Sequence, residues 1–137
     1  MIVPPLVVRA GQEDAVHGPL LHVLAGHISA GRVGERGTGS SAWLAAALAP
    51  GIPLYAVAPP AALATDPDVH AVDRLDGEAP YELLALEGAE PEEALGLLTP
   101  RGLAVVTAPG DPAAWLGHPE LAAAALPDGT ILAVRAM

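Results

Sequence analysis

The chain has 137 residues, 52% of them apolar, and a formal net charge of −10 from sixteen acidic and six basic residues. This length suits one buried core, so we expect residues 1–137 to form a single domain. An acidic surface repels the phosphate backbone, which predicts that nucleic acid is not a partner. The sequence contains no cysteine, which excludes a disulfide framework and a thiolate metal site.

The start of the chain carries an apolar run, Ile2–Val8, that is interrupted by two prolines. It lacks the basic flank and the small-residue cleavage site of a signal peptide, so we expect no leader here. No apolar stretch reaches the roughly 20 residues that a membrane helix needs. These features predict a cytoplasmic protein without a membrane partner.

The first quarter of the chain predicts an extended segment, a helix and a strand. Two prolines favour an extended conformation for Val3–Arg9. Gln12–Ser29 carries apolar residues at a period of about 3.6, which predicts a helix that Pro19 either kinks or begins. Gly31–Arg36 is then a candidate strand, although it contains few strand-forming residues.

From Ser40 onward, predicted strands alternate with helices. Ser40 or Ser41 caps a helix that ends at Pro50 and Gly51. The next predicted elements are strands at Ile52–Val57, Val69–Val72, Tyr81–Leu86 and Leu103–Thr107, a helical turn at Ala61–Ala64, a polar loop at Asp73–Pro80, and helices at Pro91–Leu98 and Asp111–Leu116. This alternation predicts an α/β fold with a mostly parallel sheet.

The end of the chain differs, because Pro127, Asp128 and Gly129 are typical of a hairpin turn. They separate two predicted strands, Leu121–Leu126 and Thr130–Arg135, the first of which has a run of alanines that is equally consistent with a helix. We therefore expect a C-terminal antiparallel hairpin at one edge of the sheet.

The turn Gly37–Ser41 follows the first strand, where open parallel sheets bind ligands. Gly37 and Gly39 permit a tight turn and a close approach, and the helix start offers free N–H groups. The turn lacks the lysine of a phosphate-binding loop and the third glycine of a dinucleotide-binding loop. Taken alone, it is equally consistent with an ordinary strand-to-helix connection.

Two charged residues and three histidines are candidate members of an ion pair or a metal site. Glu35 lies within the sheet, where a carboxylate needs a donor, and either Arg36 or a backbone amide is enough. Arg36 either pairs with Glu35 or points into the ligand pocket. His17, His22 and His27 recur every five residues, about 140° apart on a helix, so they share no face and predict no metal site.

Several stretches, taken in order, resemble the class I S-adenosylmethionine-dependent methyltransferases, and most of all their small O-methyltransferase-like members. These stretches are Arg32–Leu48, Leu54–Val57, Tyr81–Gly88, Leu98–Val106 and the closing Leu126–Arg135. The resemblance covers about residues 15 to 135. It implies a single-domain, Rossmann-like three-layer sandwich with a C-terminal antiparallel hairpin.

The resemblance also implies a site for S-adenosylmethionine. The residues that it places around the methionine part of this cofactor are Glu35, Gly37, Thr38, Gly39 and Ser40. Asp73 and Arg74 come near the adenine, although a solvated acidic loop explains Asp73 as well. Glu87, at the end of the fourth strand, faces the substrate and is the candidate catalytic base.

The sequence departs from this family at three places. Ala58 stands where the family has an acid that binds both ribose hydroxyls, a loss of charge-assisted bonds worth about 1.5–3 kcal/mol each. Gly34 and Arg36 replace apolar residues of the first strand. Thr107 and Ala108 replace the Asp-Asn pair of the metal-dependent members, which predicts no metal.

Three functions are consistent with these residues. The first is methyl transfer from S-adenosylmethionine to a small-molecule acceptor, an O-methyl transfer without a metal. The second is a catalytically inactive relative that serves as a binding or dimerisation module. The third is an α/β domain whose glycine turn binds another small anion or nucleotide. Because alanine is frequent on the predicted surface, we also expect a homodimer.

Overall fold

The computed structural model describes residues 2–136, in which five helices and seven strands follow one another. The helices are α1 (Pro5–Ala10), α2 (Gly18–Gly26), α3 (Ser41–Ala47), α4 (Pro91–Leu97) and α5 (Pro112–Leu116). The strands are β1 (Val33–Arg36), β2 (Leu54–Val57), β3 (Val69–Val72), β4 (Tyr81–Glu87), β5 (Leu98–Thr107), β6 (Leu121–Ala125) and β7 (Ile131–Arg135). Short 3-10 turns lie at Ala61–Leu63 and Asp76–Glu78.

All seven strands belong to one sheet, in the order β3-β2-β1-β4-β5-β7-β6. The neighbours from β3 to β5 run parallel, whereas β7 is antiparallel to both β5 and β6. The strand order reverses between β1 and β4, which is where ligands bind in such sheets. The predicted parallel sheet with its closing hairpin is therefore confirmed. Within the part of the chain that the structure describes, no helix is long and apolar enough to cross a membrane.

Both faces of the central strand β4 are buried, which explains its nearly continuous run of apolar residues. Along β4, Leu84 and Leu86 pack in one hydrophobic cluster with Trp115 of α5. Leu83 and Ala85 point the other way and pack with residues of α2 and α3. The helices thus form one layer on each side of the sheet, as expected for a Rossmann-like sandwich.

The structure corrects two predicted elements and decides between the two alternatives for Pro19. Val3–Arg9 is not extended, because Pro5 occupies the first position of α1, where a missing N–H costs nothing. Pro19 lies in the first turn of α2, so it marks the start of that helix rather than a kink. The fifth strand begins at Leu98 and not at Leu103, and a register shift accommodates the turn residues between these two positions.

The segment before α2 fixes the start of α3. The Gln12 side-chain Oε1 accepts a hydrogen bond from the Ala42 amide at 2.7 Å, and Nε2 donates to Ser41 Oγ at 3.2 Å. Ser40 occupies the predicted cap position but makes no capping bond with its side chain. The Gln12 carbonyl accepts a hydrogen bond from the Trp43 indole at 2.8 Å. A residue about thirty positions away therefore caps this helix.

Replacing Gly18 with alanine tests how closely α2 packs against Trp43 of α3. A Cβ at Gly18 would lie only 2.3 Å from Nε1 of the buried Trp43. We expect Gly18→Ala to lower the free energy of unfolding by about 1–3 kcal/mol, because the indole has to move. Gly26→Ala in the same helix is the control, since its Cβ meets no atom within 4 Å. Urea unfolding of both variants checks this, and equal effects would contradict it.

Candidate active site

The turn after β1 lies at the carboxyl edge of the sheet, next to the end of β4. Gly37 and Gly39 both have positive φ values, 78° and 66°, which favour glycine. A Cβ at Gly37 would lie 3.1 Å from the Cβ of Glu87, whereas a Cβ at Gly39 would meet nothing within 4 Å. Gly37 thus lets the turn approach β4, and Gly39 borders open space.

Glu35 holds this turn from inside the sheet. Its side chain is 3% exposed, and Oε2 accepts hydrogen bonds from the Thr38 amide at 2.9 Å and the Thr38 hydroxyl at 2.8 Å. Ser40 Oγ donates in turn to the Thr38 hydroxyl. Burial raises the pKa of Glu35, and the bonds from Thr38 and Gly39 oppose that rise. The donor that this carboxylate needs is therefore the turn itself.

Arg36 does not pair with Glu35. Neighbouring side chains of a strand point to opposite faces, so Arg36 faces α4. There its guanidinium donates two hydrogen bonds to the Glu93 carboxylate, at 2.5 and 3.0 Å. This pairing raises the pKa of Arg36 and lowers the pKa of Glu93. Of the two alternatives for Arg36, the pairing with Glu35 is therefore wrong, and the ion pair instead joins the end of β1 to α4.

A cavity of about 340 Å³ opens beside the turn, and we call it the β4–β5 cavity. Three of the predicted site residues line it, namely Thr38, Ser40 and Glu87, together with His17 and Asp128. The remaining lining residues are Val16, Leu21, Val105, Thr107, Ala108 and Thr130. The predicted methionine-binding turn and the predicted base thus share one cavity.

A second cavity of about 370 Å³ lies on the α4 side, and we call it the β3–α4 cavity. Asp73 and Arg74, which follow β3, line it together with Arg36 and Glu93. The structure therefore separates the predicted adenine-binding residues from the predicted methionine-binding residues. Arg36 stands at the carboxyl end of β1 and lines only the β3–α4 cavity.

Ala58 follows β2 and is exposed, with a φ of 53° that a non-glycine residue rarely adopts. It lies one position beyond the register pair Val57–Val72, level with Asp73 of the neighbouring strand. Among the residues that the structure describes, Ala58 lines neither cavity. The methyl side chain of Ala58 therefore supplies no hydrogen-bond acceptor at this point of the sheet edge.

His17 lines the β4–β5 cavity, although no role was predicted for it from the sequence. It precedes α2, and Nε2 lies 2.8 Å from Asp128 Oδ2 and 2.9 Å from Thr130 Oγ1. The predicted helix was too long at its start, so His17 was counted with His22 and His27. No local signal reveals its partner, because Asp128 is 111 positions away and only the closing hairpin brings it here.

Metal ligands do not converge in this region. Across residues 2–136, no group of three or more histidine, aspartate or glutamate side chains is placed to hold a metal ion. Thr107 and Ala108, at the positions of the family's metal-binding pair, line the β4–β5 cavity.

No protein-family model matches the sequence, and no curated protein sequence matches it. Solved structures do match. The O-methyltransferase TomG from Streptomyces achromogenes, crystallised in complex with SAM, is 23% identical with a TM-score of 0.67. That match covers 99% of this chain and 92% of TomG.

Two further structures are similar over comparable lengths. The O-methyltransferase from Bacillus cereus in complex with SAH is 18% identical with a TM-score of 0.69, covering 98% of this chain and 92% of that one. A protein from Klebsiella pneumoniae assigned as an O-methyltransferase is 20% identical with a TM-score of 0.72, covering 100% and 92%. The chain therefore has the class I S-adenosylmethionine-dependent methyltransferase fold, as its sequence predicted.

The buried Glu35 carboxylate makes a pH-dependent contribution to stability. Because its pKa is raised above the ordinary value of 4.5, the folded state holds this proton more tightly than the unfolded state. In the window above 4.5, rising pH therefore lowers the free energy of unfolding until the carboxyl is ionised in both states. The change Glu35→Gln removes this contribution.

We expect the free energy of unfolding of the wild type, minus that of Glu35→Gln, to fall as the pH rises from about 4.5 toward neutrality. Urea unfolding at a series of pH values measures this difference. A difference that is constant or that rises with pH would show that the folded state does not favour the protonated carboxyl.

Proposed function

We propose that the chain binds S-adenosylmethionine at the carboxyl edge of its sheet and transfers the methyl group to a hydroxyl of a small-molecule acceptor, without a metal ion. One observation carries the proposal: the glycine turn and Glu87 line one cavity at the point where strand order reverses. The same fold in O-methyltransferases crystallised with SAM or SAH supports it.

The turn fits the methionine part of the cofactor. Its backbone is fixed by Glu35, which accepts hydrogen bonds from the Thr38 and Gly39 amides, so the turn needs no rearrangement when a ligand arrives. Gly39 leaves open space where any side chain would project, and Thr38 and Ser40 line the cavity with hydroxyl groups. We infer that this turn holds the amino-acid end, whose ammonium group suits the hydroxyl oxygens as acceptors. When bound, the cofactor supplies an electrophilic methyl group.

The β3–α4 cavity suits the adenine end. Asp73 and Arg74 offer an acceptor and a donor for the edge of a base, and Leu75 and Leu97 supply apolar wall. The ribose end has no comparable hydrogen-bond acceptor, because Ala58 stands at the position of the expected acid. Asp73, level with Ala58 on the next strand, is the nearest carboxylate along this edge by strand register.

The acceptor would lie in the β4–β5 cavity. Two carboxylates, Glu87 and Asp128, line this cavity, and among residues 2–136 no arginine does. Val16, Leu21 and Val105 form apolar wall. Such a lining favours a neutral or cationic acceptor over an anionic one. Because methyl transfer is an in-line displacement, holding the acceptor in this orientation supplies much of the rate.

Calorimetry with S-adenosylmethionine and S-adenosylhomocysteine tests the proposal. We expect both to bind the wild type, and Gly39→Val to weaken them at least about tenfold, because the new side chain fills the space beside the turn. Gly51→Val is the matched control, since Gly51 also has a positive φ and open surroundings but lies after α3. Absence of heat and of a thermal shift with the wild type at millimolar ligand would overturn the proposal.

Ala58→Asp tests the ribose end separately. An acid here would accept hydrogen bonds from the ribose hydroxyls, and aspartate tolerates the positive φ of this position better than most residues. We expect roughly tenfold tighter binding of S-adenosylhomocysteine, since a charge-assisted bond contributes about 1.5 kcal/mol or more. Ala58→Asn, which lacks the charge, is the control. Equal affinities in all three proteins would place the ribose elsewhere.

The second candidate function is an inactive relative that serves as a binding or dimerisation module. The observation that favours it is Ala58, because the cofactor site lacks its expected acid. This function would be supported if sedimentation shows that the wild type is a dimer and calorimetry shows that it binds neither cofactor form.

A further inference from the structure

A histidine, an aspartate and a threonine meet at the wall of the β4–β5 cavity. His17 lies directly before α2 with its side chain 18% exposed, and Asp128 and Thr130 come from the turn between β6 and β7. All three line the cavity that also contains Glu87. The apolar neighbours of His17 in this wall are Val16 and Leu21, and the charged groups that share the cavity with it are Asp128 and Glu87.

The hydrogen bonds determine which nitrogen of His17 carries the proton. The Thr130 amide donates to Asp128 Oδ1 at 3.0 Å, and the Thr130 hydroxyl donates to Oδ2 at 3.2 Å. These bonds, the amide bond first, lower the pKa of Asp128 and keep it ionised. An ionised carboxylate only accepts, so Nε2 of His17 donates to it. Nδ1 then keeps its lone pair and makes no hydrogen bond to residues 2–136.

We propose that Nδ1 of His17 takes the proton from the acceptor hydroxyl in this cavity, and that Asp128 positions the ring for that purpose. The proposal rests on the proposed methyl transfer. In that step the acceptor oxygen forms a bond to the methyl carbon as the carbon–sulfur bond breaks. The electron pair of the broken bond stays on sulfur. The acceptor proton passes to His17, and the resulting imidazolium later releases it to water.

His17 suits this role better than Glu87. Imidazole is the side chain whose titration range best matches proton transfer near neutral pH. Two hydrogen bonds orient the His17 ring, whereas the Glu87 side chain is exposed and makes no hydrogen bond within the described residues. Ionised Asp128 also stabilises the imidazolium that forms. The acceptor is then a neutral or cationic hydroxyl compound.

Nitrogen NMR of the histidine rings tests the positioning by Asp128 without any ligand. At a pH where the ring is neutral, we expect the wild-type His17 to carry its proton on Nε2. In Asp128→Asn the amide oxygen keeps the bond from Thr130, while the amide nitrogen donates to Nε2 and moves the proton to Nδ1. A wild-type ring protonated at Nδ1, or a variant with an unchanged tautomer, would overturn the proposal.

The proton transfer is tested with 4-nitrophenol, whose ionised form absorbs visible light. With the protein saturated in S-adenosylhomocysteine, we expect added 4-nitrophenol to shift the His17 nitrogen signals and to give phenolate absorbance below its own titration range. His17→Gln should lose that absorbance, and His27→Gln, at the exposed end of α2, should keep it. Unmoved signals, or absorbance that His17→Gln retains, would overturn the role of His17.

Calorimetry on the same samples separates the two proposals. We expect His17→Gln and Asp128→Asn to bind S-adenosylhomocysteine as tightly as the wild type, because the histidine serves the acceptor and not the cofactor. If none of the proteins binds it, the proposed methyl transfer fails, and the catalytic role of His17 fails with it. If all bind it but the phenol tests give the contrary result, only the role of His17 fails.

Discussion

A carboxylate buried at the end of a central strand is stable only when donors reach it, and in this chain the donors come from the turn that follows. Glu35 accepts bonds from the amide and hydroxyl of Thr38, so the shape of the turn is tied to a residue of the sheet. That tie sets Gly37 against Glu87 and leaves Gly39 facing open space. Thr38, which makes these bonds, also lines the β4–β5 cavity, so this interaction joins the sheet to the cavity wall.

The rest of the fold supplies this site with few residues. Short 3-10 turns at Ala61–Leu63 and Asp76–Glu78 follow β2 and β3, where a larger α/β fold would place full helices. The segment before α2 has two structural roles. Gln12 caps α3 directly behind the turn, and His17 enters the cavity wall. The ion pair of Arg36 and Glu93 joins the sheet edge to α4 on the opposite face.

Periodicity and turn residues predicted what depends on local sequence. They gave most strands, the strand-to-helix turn and the hairpin, and the family resemblance gave the three-layer sandwich. Two contacts could not be predicted because distant residues form them. Nothing near Arg36 indicates Glu93, 57 positions away, and nothing near His17 indicates Asp128. Prolines misled at Val3–Arg9, because the same residue that breaks a helix interior also begins one.

A crystal structure of the chain with S-adenosylhomocysteine tests most directly whether the turn held by Glu35 is the cofactor site. We expect the amino-acid end of the ligand at Gly37–Ser40, the adenine in the β3–α4 cavity beside Asp73, and unbroken bonds from Thr38 to Glu35. A ligand bound elsewhere, or a turn that releases Glu35 to admit the ligand, would show that this turn is not the cofactor site.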